Sequence, residues 1–323
     1  MIPEGTGPQA PILTVTLNPA LDVATSANRV VPELKLRCDA PQIDPGGGGI
    51  NVSRAIARMN GRSTALVALG GGTGARLGTL LVETGLPVLR LDAPGETRQS
   101  LSVTDRTTGA QFRFVLPGPN WRETDMRTAL DAVAAAAPAD GIVVLSGSNP
   151  PGVSPRFAAL LAQRLHDSGA RLLVDTSGEA LAHIAAGHEA PAFVLRMDDA
   201  EAEGLAGRRL PRRADTADFA ASLVAQGAAR SVIIARGADG NIIAGPEGRW
   251  HTEAHKVPIV SKVGAGDSFV AGFTLAIARG LSATEALALG GAAASATCMT
   301  PATELCHPKD IAALYDPHLV TAI

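Results

Sequence analysis

Aromatic residues, cysteines and long apolar runs are all scarce in this chain of 323 residues. Its three cysteines, Cys38, Cys298 and Cys306, show neither CxxC pairs nor the spacing of a disulfide framework, which favours a reducing compartment such as the cytoplasm. We expect each thiol to be a small buried hydrophobic group. No apolar run reaches the roughly 18 residues of a membrane-spanning helix, so no membrane partner is expected. Because aromatic residues make up only 3%, the core must be built from Ala, Leu, Val and Ile.

The chain also lacks a surplus of positive charge and several motifs that define enzyme classes. Its formal net charge of −3 gives no electrostatic reason to expect nucleic acid as a partner. No glycine is followed by lysine, which excludes a Walker A loop, and neither Gly-x-Ser-x-Gly nor His-Glu-x-x-His occurs. Residues 72–77 lack the third glycine of a dinucleotide-binding fingerprint. P-loop, dinucleotide-binding, serine-hydrolase and zinc-protease chemistry are therefore disfavoured.

Short apolar runs alternate with segments of helical periodicity along most of the sequence. Such runs predict strands that are buried on both faces, and their alternation with helices predicts βαβ units. The expected fold is α/β, with a mostly parallel central sheet between helices, formed by residues 12–25, 46–96 and 117–316. The strand candidates are 12–17, 65–69, 142–145, 172–174, 193–195 and 232–234. The helix candidates are 155–166, 217–226, 267–279 and a last helix that begins at Ser282, where Glu285 completes a capping box.

Two stretches interrupt this pattern with a strict alternation of polar and apolar residues. Alternation predicts strands with one solvated or ligand-facing side, so we expect residues 26–45 and 97–116 to form a small β lid. Lys35 and Arg37 lie on the polar side of the first stretch, and Arg113 lies on the polar side of the second. These cations form either one basic ligand-binding face or the solvated face of an edge sheet. Residues 1–11, rich in Gly and Pro, are predicted to be a flexible leader.

The segment Val263-Gly264-Ala265-Gly266-Asp267-Ser268 precedes an apolar stretch of helical periodicity. The free amides at a helix start and the positive end of its dipole attract anions, and glycine allows a ligand to approach closely. A bound phosphate would repel the Asp267 carboxylate, so that carboxylate needs a purpose, such as taking a proton from an attacking hydroxyl. From these residues alone, a general base at a phosphate site and an ordinary helix cap both remain open.

A second glycine cluster, Gly46 to Gly49, precedes another helical run. Glycine loses more backbone entropy on folding than other residues, so four in succession predict a backbone that lies close to something small. Asn51 follows in the first turn of the helix. Its amide is suited either to sugar hydroxyls or to capping the helix.

Four further side chains are weaker candidates. Asp22 and Ser148 follow apolar strands, at the edge where open α/β sheets bind ligands. Arg98 begins a lid strand and has the planar fork that grips phosphate. Glu201 is placed to reach a metal ion through water. Each also has a plainer interpretation, as a loop aspartate, a tight turn, a surface arginine or an acidic helix start.

Together these features resemble the ribokinase/PfkB family of sugar kinases. The similarity runs from about residue 12 to residue 316, with Asp22, the 45–51 glycine run, the two lid stretches and the 264–267 motif in the same order and spacing. Within the family it is greatest to the minor-type 6-phosphofructokinases, in residues 16–22, 33–38 and 111–118. The resemblance implies a ribokinase-like three-layer sandwich with a small β-sheet lid, and it favours the phosphate-site interpretation of Asp267.

The resemblance also implies a role for each matching residue. Asp267 would be the catalytic base, assisted by the amides of Gly264, Ala265 and Gly266 on the transferred phosphoryl group. The residues expected to bind the phosphosugar are Asp22, Gly47, Gly48, Asn51 and Ser148, with Lys35, Arg98 and Arg113 on its phosphate. The residues expected at the nucleotide are Val263, Gly264, Gly266, Gly237 and Asp198, with Glu201 near a metal ion.

The activity implied is ATP-dependent phosphorylation of a ketohexose phosphate, with fructose 6-phosphate as the first candidate and fructose 1,6-bisphosphate as its product. Mg²⁺ is the expected cofactor and K⁺ a further candidate. A homodimer through the lid is expected, with Lys35 contributed by the partner subunit. The alternatives are a 1-phosphofructokinase, a tagatose-6-phosphate kinase and a non-catalytic sugar-phosphate sensor.

Two stretches depart from the family pattern, both on the expected nucleotide side. Where the family shows Lys-x-Asn-x-x-Glu, this chain has Arg196 through Glu201, with Asp198 in place of the asparagine. Where related sequences read Asn-x-Gly-Thr-Arg, this chain has Thr300-Pro301-Ala302-Thr303-Glu304. These changes motivate the sensor alternative and leave nucleotide choice and potassium dependence open.

Overall fold

A large sheet of ten strands forms the centre of the computed structural model, which describes residues 2–5, 7–301 and 303–323. The strand order in this sheet is β14-β13-β12-β11-β10-β9-β8-β1-β4-β5. Its strands are β1 (Ile12–Thr16), β4 (Thr64–Leu69), β5 (Val88–Asp92), β8 (Ile142–Ser146), β9 (Arg171–Asp175), β10 (Ala192–Asp198), β11 (Ala229–Ala235), β12 (Asn241–Gly245), β13 (Gly248–Thr252) and β14 (Val320–Ala322). A separate four-stranded sheet, in the order β3-β2-β6-β7, contains β2 (Ala20–Ala27), β3 (Gln42–Gly46), β6 (Arg98–Asp105) and β7 (Gln111–Val115).

Helices cover both faces of the large sheet. One layer packs α3 (Glu123–Ala136), α4 (Phe157–Leu165), α5 (Gly178–Ala185), α6 (Asp199–Ala206) and α7 (Arg213–Ala225) against one buried apolar cluster. The other layer packs α1 (Gly48–Arg58), α8 (Ala265–Ala278), α9 (Ala283–Cys298) and α10 (Pro308–Leu314) against a second cluster, and α2 (Gly71–Glu83) covers a third. The predicted three-layer α/β sandwich is therefore confirmed.

The sheet is parallel from β11 through β5, and β12, β13 and β14 join it antiparallel. All six apolar runs singled out in the sequence are strands in it, because Val, Ile, Leu and Ala side chains on both faces pack against helices. The carboxyl ends of the parallel strands meet at one edge. Side chains that follow those strands are therefore brought together there.

The smaller sheet corresponds only in part to the predicted lid. The second stretch forms the expected hairpin of β6 and β7, joined by the 106–109 turn. The first stretch does not: residues 34–37 are exposed and irregular, and Cys38 makes only an isolated bridge to Ala27. The strands in this region are instead β2 and β3, so Asp22 lies within a strand of the small sheet.

Three smaller predictions can also be compared with the structure. Cys38 is exposed, so its prediction as a buried thiol is wrong, whereas Cys306 is buried and Cys298 is half-buried. The helix that begins after Ser282 has the predicted capping box, but it is not the last, because α10 follows it. In the predicted leader, the Pro3 carbonyl accepts a hydrogen bond from Arg279, and the Ala10 amide donates to Ala278. Among the described residues, none of the helices combines the length and the hydropathy needed to cross a bilayer.

Candidate active site

The first turn of α8 brings Asp267 to the carboxyl edge of the large sheet. Gly264 is the N-cap and has a φ of +77°, a left-handed conformation that glycine adopts without strain. The Ala265 amide donates to the Lys262 carbonyl at 3.3 Å, but the Gly266 and Asp267 amides have no acceptor among the described residues. Two donors at the positive end of the helix dipole are therefore available to an anion.

Asp267 contacts Asn51 across two helices of the same layer. The Nδ2 atom of Asn51, in the first turn of α1, donates to Oδ2 of Asp267 at 2.9 Å. The pKa of Asp267 is raised to about 6: burial raises it most, the nearby carboxylate of Asp175 also raises it, and the Asn51 hydrogen bond and the charge of Arg196 lower it. A carboxyl group with such a pKa is ionised at neutral pH yet basic enough to accept a proton.

Strand register in the small sheet places Asp22, Arg98 and Arg113 on one face. Asp22 pairs with Ser100, two residues beyond Arg98, and Arg113 pairs with Ser102. Burial raises the pKa of Asp22 to about 6, although Arg98 and Arg113 lower it. The Nε atom of Arg98 donates to the Asn18 carbonyl at 3.2 Å, which orients its guanidinium. Of the predicted basic face of Lys35, Arg37 and Arg113, only Arg113 lies on a strand, where it shares a face with Arg98; Lys35 and Arg37 lie in an irregular exposed segment.

Arg54, one turn after Asn51 on α1, is a cation that the sequence reasoning missed. Its Nη1 atom donates to the Pro45 carbonyl at 3.3 Å, and burial lowers its pKa while the charge of Asp44 raises it. The charge of Arg54 also lowers the pKa of Asp22. Its position i+3 from Asn51 was the available signal, because such residues share a helix face.

The glycine run lies between β3 and α1, where it is tightly enclosed. A Cβ at Gly46 would lie 2.1 Å from Oδ2 of Asp22, and one at Gly48 would lie 2.3 Å from Oγ of Ser146. Gly47 has a φ of +127°. The close approach predicted from four glycines is therefore made, at least in part, to the protein's own Asp22 carboxylate and to the turn after β8.

A cavity of about 720 Å³ opens beside the first turn of α8. Its lining includes Gly266 from α8, Gly237 and Lys256 from the segments after β11 and β13, and Arg196 from β10. Such a volume is typical of small-molecule sites. Of the residues predicted at the nucleotide, Gly237 and Gly266 line this cavity directly, and Gly264 and Val263 precede its α8 wall.

Arg196 is the second residue that the sequence reasoning missed. Its Nη1 atom pairs with Oδ1 of Asp175 at 3.1 Å, with 15% of its side chain exposed. Its buried Nε atom has no partner among the described residues. Because a buried donor without an acceptor is costly, Arg196 retains the capacity to bind an anion in the cavity. The charges of Asp267 and Glu201 both raise the pKa of the Arg196 guanidinium.

Asp198 and Glu201 cap α6 reciprocally and do not line the cavity. Oδ1 of Asp198 accepts from the Glu201 amide at 2.8 Å, and Oε2 of Glu201 accepts from the Asp198 amide at 2.9 Å. Asparagine and aspartate are about equally good N-caps, so the departure from the family pattern preserves this helix start. Within the described ranges, no group of three or more His, Cys, Asp or Glu side chains is arranged to hold a metal ion.

The remaining predicted residues do not line the cavity beside α8. Ser148 accepts a hydrogen bond from Asn18 at 3.2 Å, beside the turn after β8. Lys35 is exposed in the irregular segment before β3. Glu304 pairs with His307 at 3.2 Å and is not part of the cavity lining, and Thr303 donates to Asp44 at 2.5 Å. Ala302 lies outside the described residues.

The pfkB family carbohydrate kinase model matches residues 16–310. The chain therefore belongs to this family. It is 38% identical over 305 residues to ATP-dependent 6-phosphofructokinase isozyme 2 of Escherichia coli, covering 94% of this chain and 97% of that protein. The Mycobacterium tuberculosis enzyme of the same name is 37% identical over 305 residues, with coverage of 94% and 89%. A 1-phosphofructokinase of Bacillus subtilis is 32% identical over 289 residues, with coverage of 90% and 93%.

Solved structures of the Escherichia coli phosphofructokinase-2 share this fold. The potassium complex has a TM-score of 0.89 at 37% identity, covering 95% of this chain and 98% of that one. The complex with fructose-6-phosphate has a TM-score of 0.87 at 36% identity, with coverage of 96% and 99%. A tetrameric inhibited form has a TM-score of 0.87 at 37% identity, with coverage of 95% and 98%.

The raised pKa of Asp267 predicts a pH-dependent gain in stability for Asp267→Asn. Because the folded-state pKa of about 6 lies above the ordinary aspartate pKa of 3.8, the folded protein binds this proton more tightly than the unfolded chain. The ionised carboxylate thus destabilises the fold above pH 6, by up to about 3 kcal/mol. Thermal unfolding should show Asp267→Asn more stable than wild type at pH 8, with the difference shrinking towards pH 4. A pH-independent difference, like that expected for the exposed Glu83→Gln, would contradict the assignment.

Proposed function

We propose that the protein is an ATP-dependent kinase that converts fructose 6-phosphate to fructose 1,6-bisphosphate. The observation that carries this proposal is the hydrogen bond from Asn51 to Asp267, in a region where the charge of Asp22 acts on Asp267 and the charges of Arg98 and Arg113 act on Asp22. A carboxylate with a raised pKa supplies the base, and the cations supply sites for the phosphate that the sugar already carries.

The proposed reaction is an in-line transfer of a phosphoryl group from ATP to the sugar hydroxyl. Asn51 orients the Asp267 carboxylate, which takes the proton from the sugar hydroxyl as that oxygen attacks the terminal phosphate of ATP. The Gly266 and Asp267 amides, which lack internal acceptors, stabilise the charge that develops on the phosphoryl oxygens. Asp22, together with Gly47, Gly48 and Ser148 nearby, would hold the sugar so that the hydroxyl meets Asp267.

The cavity beside α8 fits a nucleotide in size and charge. Arg196, with its unpartnered Nε, and Lys256 and Lys262 in the lining would bind the phosphates. A bound Mg²⁺ would neutralise phosphate charge, held mainly by the nucleotide, with Glu201 reaching it through water, since Mg²⁺ sites usually combine substrate phosphates with one or two carboxylates. K⁺ remains a candidate, because a potassium complex is known for the Escherichia coli relative.

A 1-phosphofructokinase activity is the second candidate, favoured by the similarity to the Bacillus subtilis enzyme. Tagatose 6-phosphate kinase activity would use the same side chains, so substrate comparison must separate the three. A sugar-phosphate sensor without catalysis is disfavoured by the arrangement of Asp267, Asn51 and the free α8 amides, which serve phosphoryl transfer and are not needed for binding alone.

A homodimer through the small sheet is also part of the proposal. Leu101 pairs with Phe114 on the face opposite Arg113, and Phe114, Leu101 and Phe112 on this face are 52%, 38% and 38% exposed. Exposed apolar strands of this kind are typically covered by a partner. A second copy of the chain would cover this face and bring the exposed Lys35 towards the partner subunit's pocket.

We place the reaction in the cytoplasm, where its phosphorylated substrates and unpaired cysteines are stable.

Asp267→Asn should reduce kcat with fructose 6-phosphate by roughly two to four orders of magnitude, the range for a lost general base. Sugar-phosphate affinity, measured by calorimetry, should largely survive. In the unchanged enzyme kcat/KM should rise with pH through about 6, where Asp267 ionises. Glu83→Gln serves as the control with unchanged turnover. Near-normal kcat in Asp267→Asn would refute its role as the base.

Arg98→Gln should raise KM for fructose 6-phosphate about 10- to 150-fold, the equivalent of one charge-assisted bond of about 1.5–3 kcal/mol. Its KM for ATP should stay within about twofold of wild type. Comparing kcat/KM for fructose 6-phosphate, fructose 1-phosphate and tagatose 6-phosphate identifies the preferred substrate. An unchanged sugar-phosphate KM would mean that Arg98 faces solvent only.

Phe114→Asp should convert a dimer into a monomer, because a buried carboxylate at the covered face is strongly unfavourable. Light scattering coupled to gel filtration measures the mass directly. Val82→Asp, an equally drastic change at a residue 76% exposed on α2, should leave the dimer intact. A monomeric wild-type protein, or dissociation by both variants, would refute a dimer through the small sheet.

A further inference from the structure

A second cavity, of about 380 Å³, lies at the edge of the large sheet opposite the candidate active site. It is bounded by the first residues of β9, β10 and β11, by the β12–β13 turn and by the connection from α8 to α9. The parallel strands begin here and end at the candidate active site; α8 carries Asp267 in its first turn and lines this cavity with Phe273 and Ile277 from its second half. The residues of the proposed kinase site do not line it.

Two arginines line this cavity without acidic partners among the described residues. Arg171, the first residue of β9, is half-buried, and burial lowers the pKa of its guanidinium. Arg230 on β11 is exposed at the rim. Other arginines of the chain pair with carboxylates, as Arg213 and Arg236 do with Asp239. A half-buried cation without a counter-charge has unused capacity to bind an anion.

The guanidinium of Arg171 is already held in position. Its Cζ lies 5.2 Å from the centroid of the Phe193 ring. Stacking of this kind restricts the side chain while its N–H groups, which lie in the guanidinium plane, stay available to an anion. A preorganised donor loses less entropy when a ligand binds.

Aromatic side chains form the rest of the recognition surface. Trp250 lies at the rim, where its Nε1 donates to the Glu247 carbonyl at 3.1 Å, and Phe193 and Phe273 also line the cavity. These are three of the chain's ten aromatic residues of the Phe, Trp and Tyr types, which makes their concentration at one cavity notable. Planar ligands stack favourably on such rings.

Nearby negative charges do not neutralise the positive charge of the two arginines. Glu247 lines the cavity but forms no ion pair with Arg171 or Arg230 in the described residues, which leaves a net charge of +1 among the lining side chains. The negative end of the α8 dipole at Gly280 is offset by the positive end of α9 at Ala283, since both line the cavity. The electrostatic balance therefore favours a small anion.

We propose that this cavity is a binding site for a small planar aromatic or heteroaromatic ring that carries a phosphate or carboxylate group. Arg171 and Arg230 bind the anionic group, and the ring lies against Trp250 and the neighbouring aromatic side chains. The site is independent of the kinase function, because none of its contacts involves a residue of the candidate active site.

Trp250 provides a built-in probe of this site. The chain has two tryptophans, and Trp121 is 3% exposed and far from this lining, so ligand-dependent changes in fluorescence report on Trp250. Phenyl phosphate and benzoate should each change the fluorescence of the full-length protein with a saturable dependence on concentration. Calorimetry should give the same dissociation constants. Phenol, which lacks the anionic group, should bind at least about tenfold more weakly.

Substitutions identify the residues responsible. Arg171→Gln should weaken phenyl phosphate binding by at least about tenfold, and so should Arg230→Gln, an exposed residue whose replacement leaves the fold intact. Arg76→Gln, which removes an exposed arginine on α2, and Asp267→Asn should have no effect on this binding. Equal affinity in Arg171→Gln, equal affinity for phenol, or loss of the signal only in Arg98→Gln would overturn the proposal, the last because it would assign binding to the phosphosugar pocket.

Discussion

Close packing of α8 against α9 positions the chemistry of this protein. A Cβ at Gly272 of α8 would lie 2.7 Å from the Leu289 carbonyl, and one at Gly290 of α9 would lie 2.9 Å from the Phe269 ring. Only glycine permits this separation of the two helices. Within the same contact Thr297 donates to Ser268 at 2.7 Å, directly beside Asp267. This packing against α9 therefore holds the first turn of α8 in place. Its free amides and the Asp267 carboxylate are ordered before any ligand binds.

The burial that holds α8 in place also raises the pKa of Asp267, because a buried carboxylate is costly to ionise. The charges of Asp175 and Asp22 raise the pKa of Asp267 and the charge of Arg196 lowers it, while Arg98, Arg113 and Arg54 lower the pKa of Asp22. With a pKa of about 6, the Asp267 carboxyl group is close to its protonation equilibrium at neutral pH. The site also favours ligands that bring their own charge distribution, such as a phosphate at the arginines and a hydroxyl at Asp267.

The sequence predicted the large sheet well and the small sheet only in part, for a physical reason. Runs such as 142–145 are apolar on both faces, and only a buried strand satisfies them. Residues 34–39 alternate as a strand does, but alternation in an exposed segment has no core to enforce it. The β2 strand was missed because Ala, Thr and Ser give it little hydrophobic contrast. Asp267 and Asn51 were predictable from glycine-rich turns, whereas Arg196 required the register that sets it beside Asp175 on β9.

Three of the residues that depart from the family pattern, Asp198, Thr300 and Glu304, have hydrogen-bond or ion-pair partners within the chain. Asp198 caps α6 as an asparagine would, while its extra charge lies beside Glu201, and burial together with this neighbour raises the pKa of Glu201. Glu304 is paired with His307, and the Thr300 hydroxyl donates to the Thr297 and Glu304 carbonyls. Because these side chains have internal partners and do not line the cavity beside α8, the substitutions change the charge around that cavity and not its shape. Any difference in cation or nucleotide preference from relatives should therefore depend on ionic strength, as an effect of charge does and an effect of shape does not.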